Sequence, residues 1–205
     1  MVRPRFAKLP QAQQQLILQV ALDEFASRGF HDASLNRMID AAGISKGSMY
    51  YYFDGKEDLY AHVMRVGIEQ LFARIGPAPD LNGADADSFW PLVEDYYLRL
   101  MTALTAWPQL AALLRGWAAA SRNPALQQAQ GDLEQASLPW IEQALVAGQR
   151  AGAVRVDVPP SLLIAAVAGM GEAMDIWLMT QQPDSDALPK LVGDLVSMIR
   201  GAVSP

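Results

Sequence analysis

Between Ser34 and Leu59 the chain reads SLNRMIDAAGISKGSMYYYFDGKEDL, and no other stretch constrains the fold as tightly. Ser34 suits the cap of a short helix from Leu35 to about Ala42, which Gly43 ends. Ser45 suits the cap of a second helix reaching about Tyr52, and Asp54-Gly55 breaks it. Two short helices joined through Ala42-Gly43-Ile44 have few ways to pack. The glycine lets the chain swing through about 90–120°. Ile39, Ile44 and Phe53 are spaced to lock the pair from inside. A pair of that shape frees its second helix to enter the major groove of DNA.

The remaining sequence is helical in its periodicity. Leu16, Val20, Leu22 and Phe25 keep helical spacing up to Gly29. A longer helix is expected from Lys56 to about Ile75. The Gly-, Pro- and Asp-rich residues 76–87 then form a loop and the clearest internal boundary. Further helices are expected at about 88–106, 108–121, 124–151, 160–180 and 186–202, with Pro108, the Asn123-Pro124 pair and Pro183 as punctuation. Val154, Val156 and Val158 alternate with Arg155 and Asp157, but Gly152 and Pro159-Pro160 favour an extended connector over a strand. The fold class is therefore all-α, with about nine helices: a helix-turn-helix domain over residues 1–55 and a larger helical domain over 56–205.

Of the 205 residues 51% are hydrophobic and 19% charged, enough to bury a core and unlike a disordered chain. The chain has no cysteine, so disulfides, thiolate nucleophiles and cysteine zinc sites are excluded, and a reducing cytoplasm suits it. No metal site and no cofactor are expected. Met1 to Lys8 is basic without an apolar run behind it, so no signal peptide is expected. The most apolar stretch, Leu162 to Met170, is shorter than the roughly 20 residues a bilayer demands, and Glu172 and Asp175 follow it. A soluble protein without a membrane partner is the expectation. The net charge of −6 is unevenly spread. Acids and bases cancel over residues 1–60, and all the excess acid lies after them. Phosphate binding depends on local potential, so this balance permits DNA binding without arguing for it.

The ordered pattern Ala42-Gly43-Ile44-Ser45-Lys46-Gly47-Ser48-Met49-Tyr50-Tyr51-Tyr52-Phe53, followed by Lys56-Glu57-Asp58-Leu59, closely resembles the TetR family of transcriptional regulators. Phe25-Ala26-Ser27-Arg28-Gly29-Phe30 resembles the family's first-helix ending. The likeness is strong over about residues 10–60 and elsewhere rests on length and helical pattern. It implies a DNA-binding set of Ser34, Asn36, Ser45, Lys46, Gly47, Ser48, Tyr50, Tyr51, Tyr52 and Lys56. Ser34 would cap a helix and donate to a phosphate, and Asn36 would meet a base edge. Lys46 and Ser48 would lie on the first turn of the reading helix, and Gly47 would let that helix sit close. Tyr50 and Tyr51 would be exposed, Tyr52 and Lys56 would reach phosphates, and Met49 and Phe53 would be core. Arg3, Arg5 and Lys8 form a basic arm that is a candidate for the backbone or minor groove.

The resemblance also implies a homodimer on double-stranded DNA carrying a palindromic operator, released by a small hydrophobic or amphipathic inducer. For the dimer interface the small and apolar stripes of the last two helices nominate Ala166, Gly169, Leu191, Leu195 and Ile199. For the ligand, Trp90, Tyr97, Met101, Trp107, Trp117, Trp140, Met170, Met174 and Trp177 are candidate apolar walls. Arg115, Arg122, Glu172 and Asp175 are candidates for holding a polar group, the last two favouring a cation. Ligand binding would move helix four and change the spacing of the reading helices.

Two competing readings stand beside this one. A helical carrier or partner-binding module would use the pocket and ignore DNA. A serine hydrolase is formally suggested by Gly43-Ile44-Ser45-Lys46-Gly47, which fits the nucleophile-elbow pattern. That elbow needs a strand before its serine, whereas residues 35–42 read as helix. The chain is therefore expected not to be an enzyme. Gly169-x-Gly171 lies in a helical pattern and suits close helix packing.

Overall fold

A computed structural model describes residues 4–120, 126 and 140–205. Among the described residues the regular structure is helical, without strands. The chain divides into two compact units, Met1–Gln70 with Trp107–Leu133, and Leu71–Ala106 with Glu134–Pro205.

In unit 1 a single 3-10 turn, Phe6–Lys8, precedes α1 (Gln11–Asp32). Gly29, at φ 70° and ψ 172°, interrupts α1 where the sequence placed its end, and one further turn follows. Then come α2 (Leu35–Ala42), α3 (Lys46–Tyr52) and α4 (Lys56–Ile75), of which the last residues belong to unit 2. Gly43 caps α2 at φ 63°, a conformation that side chains disfavour. The helix α6 (Pro108–Ala120) returns to this unit and packs along α1. Its approach to α4 is close: a Cβ on Gly67 would lie 2.7 Å from Leu110 Cδ1, so a larger residue there would force the leucine tip to shift.

Phe25, Met38, Met49, Phe53, Leu59 and Met64 fill the core of unit 1. Tyr60 lies among them at 1% exposure. Its hydroxyl donates to the carbonyl of Leu113 at 3.3 Å, and its ring stacks on Trp117 at 5.5 Å between centroids. A buried phenol needs such a partner, and burial pushes its pKa up. Ile39 and Phe53 are buried as expected, whereas Ile44 is half-buried.

Unit 2 holds α5 (Phe89–Thr105), a helix over residues 140–150 (α7), α8 (Pro160–Gln181) and α9 (Leu188–Val203). The helix α5 packs on α8 and α9, burying Phe89, Trp90, Met101, Leu178, Val192 and Val196. Between α7 and α8 the chain forms turns and bends, so the connector reading holds over the strand. It is tied down where Arg155 N donates to Val203 O at 2.8 Å. Most of the helix expected at 124–151 lies outside the described residues.

One expectation changes here. The apolar run does not stop at Met170. The helix α8 continues through Glu172 and Asp175 for 22 residues, with a mean hydropathy of 1.6 over its most apolar window. By length and composition alone it is long enough to cross a bilayer. Only Leu163, Met174 and Leu178 of it are buried within the chain. Leu162, Ile176 and Trp177 are exposed.

Candidate nucleic-acid interface

The short helix α3 has one face in the core and one outside. Met49 and Phe53 are each 1% exposed, which fixes the rotation of the helix about its axis. Lys46, Gly47, Tyr50 and Tyr51 consequently share the outer face, where Tyr50 and Tyr51 are nearly half exposed. A lysine, a bare backbone and two phenols make a surface that can meet phosphates, sugars and base edges. Ser48 and Tyr52 are half-buried at its margins.

Serines start both helices of the pair. Ser45 Oγ accepts from Ser48 N at 3.0 Å and lies 2.8 Å from Ser48 Oγ. Ser34 Oγ accepts from Arg37 N at 3.4 Å. Asn36 is exposed on the first turn of α2. The formal hydrolase motif thus spans the turn between two helices, with Ser45 as a cap, and the strand that a nucleophile elbow requires is missing at this point.

The orientation of α2 on α1 depends on a charged cluster that sequence reasoning missed. Arg37 donates to Glu24 Oε1 from Nε at 2.8 Å and again from Nη. It also donates to Asp32 O at 2.8 Å, while Ser34 N donates to the same Glu24 oxygen at 2.9 Å. The Arg37 hydrogen bond above all holds the Glu24 carboxyl below its ordinary pKa. The two residues stand 13 apart in sequence, a separation for which neither helical nor turn spacing gives a signal.

Lys56, expected as a phosphate clamp, has partners within the chain. Its ammonium donates to His31 O at 2.9 Å and Ala33 O at 3.1 Å, and sits 4.8 Å from the Phe30 ring centroid. It thereby closes the carbonyls that end α1, which a lysine near a helix C-terminus does well. Its neighbour on α4, His62, is 9% exposed. The His62 Nδ1 accepts from Arg65 Nη at 2.6 Å, since arginine can only donate. Burial, with Arg65 beside it, pushes its pKa down to about 4.

This geometry has close counterparts. The sequence profile described as bacterial regulatory proteins, tetR family, matches residues 17–63. The HTH-type transcriptional regulator RutR of Escherichia coli O157:H7 is 30% identical over 172 residues, spanning 83% of this chain and 73% of RutR. The chain belongs to the TetR family. As a TetR-family protein it is a ligand-responsive, DNA-binding transcriptional regulator. A TetR-family regulator from Shewanella sp. PV-4 superposes with a TM-score of 0.74 at 20% identity, over 94% of this chain and 98% of that one. The regulator FadR of Bacillus subtilis, solved with stearoyl-CoA, gives 0.71 at 20% identity over 90% and 96%. The two solved structures share the TetR fold with it. Members of the family bind DNA and small molecules and act as dimers.

The ligand candidates fall in both units. Trp90, Met101 and Met174 are buried in unit 2, with Met170 half-buried. Tyr97 OH donates to Asp175 Oδ1 at 2.6 Å, bridging α5 and α8. Trp140 belongs to a different place in unit 2, a cleft of about 180 Å³ lined by Ala78, Pro79, Asp80, Gln143 and Ala144 among others. Trp107 and Trp117 belong to unit 1, and Trp117 is committed to Tyr60. Trp177 is 45% exposed because Met174 and Leu178 take the inward face of that helix. Arg122 lies outside the described residues. For the dimer set, Ala166 and Gly169 are exposed, and Leu191, Leu195 and Ile199 are half-buried.

Proposed function

We propose that the protein is a cytoplasmic homodimeric repressor that sets α3 of each protomer into successive major grooves of a palindromic operator. Residues 1–55 form its DNA-reading head and 56–205 its regulatory part. The observation that carries this reading is the outer face of α3, where Lys46, Gly47, Tyr50 and Tyr51 stand together while Met49 and Phe53 anchor the helix. Ser34, Asn36, Ser45 and Ser48 supply hydroxyl and amide contacts around it, and Tyr52 lies at the edge. Lys56 holds the head together from within.

The second copy docks on the apolar face of α8 and on α9. Leu162 and Ile176 lie in the open beside Ala166 and Gly169, and among the described residues a Cβ built on Gly169 would meet nothing within 4 Å beyond its own stretch of helix. Small residues there admit a close helix neighbour. The inducer is a small amphipathic molecule held in unit 2 among Trp90, Met101, Met170 and Met174, with Tyr97 and Asp175 as its polar anchor. The stearoyl-CoA complex of the Bacillus subtilis regulator supports an amphipathic class on this fold. Because α4 carries residues of both units, ligand binding displaces it and biases the protein away from its operator.

Selection of duplexes from a random-sequence pool by the purified protein tests this. Enrichment of an inverted repeat, with half-site centres about 34–36 Å apart or a multiple of that, is the expected outcome. Enrichment of single, unpaired half-sites would count against the dimer.

A further inference from the structure

The chain ahead of α1 carries Arg3, Arg5 and Lys8, and its first acid is Asp23. Such a segment would ordinarily wave in solvent, but here an aromatic holds it. Phe6 is 3% exposed. Its ring centroid lies 4.9 Å from that of Phe53, 5.4 Å from His62 and 6.0 Å from Tyr52, the residues that end α3 and line the start of α4. The backbone is fixed as well, with Lys8 N donating to Arg5 O and Leu9 N to Phe6 O. Gln14 Nε2 ties the segment to α1 by donating to Leu9 O at 2.8 Å.

The residue before this anchor is thereby delivered to the reading helix. The Arg5 guanidinium lies 4.2 Å from the ring centroid of Tyr51. Both side chains are exposed, and Tyr51 shares the outer face of α3 with Lys46 and Tyr50. A guanidinium held over a phenol ring on an exposed face still has N–H donors to offer outward, and a guanidinium can grip phosphate oxygens two at a time.

We propose that Phe6 anchors a preformed arm that places Arg5, stacked on Tyr51, as a phosphate-contacting residue of the DNA interface. This rests on the reading of α3 as the DNA-facing helix and extends that surface to residues before α1. Phe6 is then a positioning residue, and it lowers the ordering cost that a loose arm would meet on binding. Arg5 contributes charge but no base selectivity, so it governs affinity and salt response while the selected sequence stays the same.

The test compares full-length variants on the duplex enriched by the wild type, at several salt concentrations. Each phosphate contact contributes about 0.9 to the slope of log K against log salt. The variant Arg5→Gln should flatten the slope by about 0.9 for each bound protomer, with unchanged base preference. Arg5→Lys should restore most of the slope. Phe6→Ala should flatten it as Arg5→Gln does, but burial of that ring makes the exposed Arg5 the decisive site. A merely structural stack between Arg5 and Tyr51 would leave the slope of Arg5→Gln at the wild-type value while Lys46→Ala lowers it, and that result overturns the proposal. If the wild type enriches no duplex, the underlying reading of α3 fails instead.

Discussion

Asp175→Asn should stabilise the protein at pH 7 by about 2–3 kcal/mol. The Asp175 carboxyl is pushed up to about 6, above all by burial and further by Glu172, with the Tyr97 hydrogen bond opposing. The folded state therefore holds its proton more tightly than the unfolded chain, whose carboxyl titrates near the ordinary 3.8. Stability is full below about pH 4 and is lost as pH rises through about 6, where folding must carry a partly desolvated anion. Asparagine keeps the oxygen that accepts from Tyr97 and removes the charge. Urea unfolding at pH 4 and pH 7.5 checks this. The gain should appear at pH 7.5 and vanish at pH 4. A loss of stability at pH 7.5 would mean that the charge itself holds α8 to α5. A half-buried, costly carboxylate next to a phenol is also what a ligand carrying a cation or hydrogen-bond donor would relieve, which links this residue to the proposed inducer site.

His62 should give the opposite dependence. Its folded pKa, about 4, lies below the usual 6.5 because burial disfavours the imidazolium and Arg65 repels it, with Asp58 pulling weakly the other way. The unfolded chain therefore binds the extra proton first. Stability is full above about pH 6.5 and is lost as pH falls toward 4, by an amount on the order of 3 kcal/mol. Protonation would also destroy the bond from Arg65, because an imidazolium cannot accept. Comparing wild type with His62→Gln from pH 7 to pH 4.5 isolates this contribution, since the Asp175 effect is common to both. The wild type should lose its advantage as the pH falls. Equal slopes for the two proteins would show that His62 titrates normally, and the ring would then have to be open to water.

The head was legible because its signals are local. Ser34, Gly43, Ser45 and Phe53 each act within a few residues of their own position, and the structure puts all four where their spacing requires. The same holds for Tyr50 and Tyr51, whose exposure follows from burial of Met49 one and two positions away. What escaped was non-local. The Glu24–Arg37 cluster, the seat of Lys56 on the carbonyls of α1 and the burial of Phe6 all join residues that no helical period relates. The ligand candidates show the same limit. Large aromatics announce that a face is apolar but not which neighbour it meets. Trp90 went into the core of unit 2, Trp117 onto Tyr60 and Trp177 outward. The helix of α8 was placed correctly at about 160–180, but its apolar run was cut short because Glu172 and Asp175 read as its end. In the helix, Asp175 finds a hydrogen bond to Tyr97 and leaves the helix intact.

The reading of α3 as the DNA-contacting helix is tested most directly by one comparison: binding of the wild type and of the Lys46→Ala/Tyr50→Ala variant to the palindrome enriched by the wild type. Both substituted residues are exposed, so the variant should keep the wild-type fold, which circular dichroism and thermal unfolding verify. With contacts worth about 1–3 kcal/mol each lost from both protomers, affinity should fall by more than about a hundredfold, and the salt dependence should weaken. Wild-type affinity in a folded variant would contradict the account, because the outer face of α3 would then not be the surface that meets DNA.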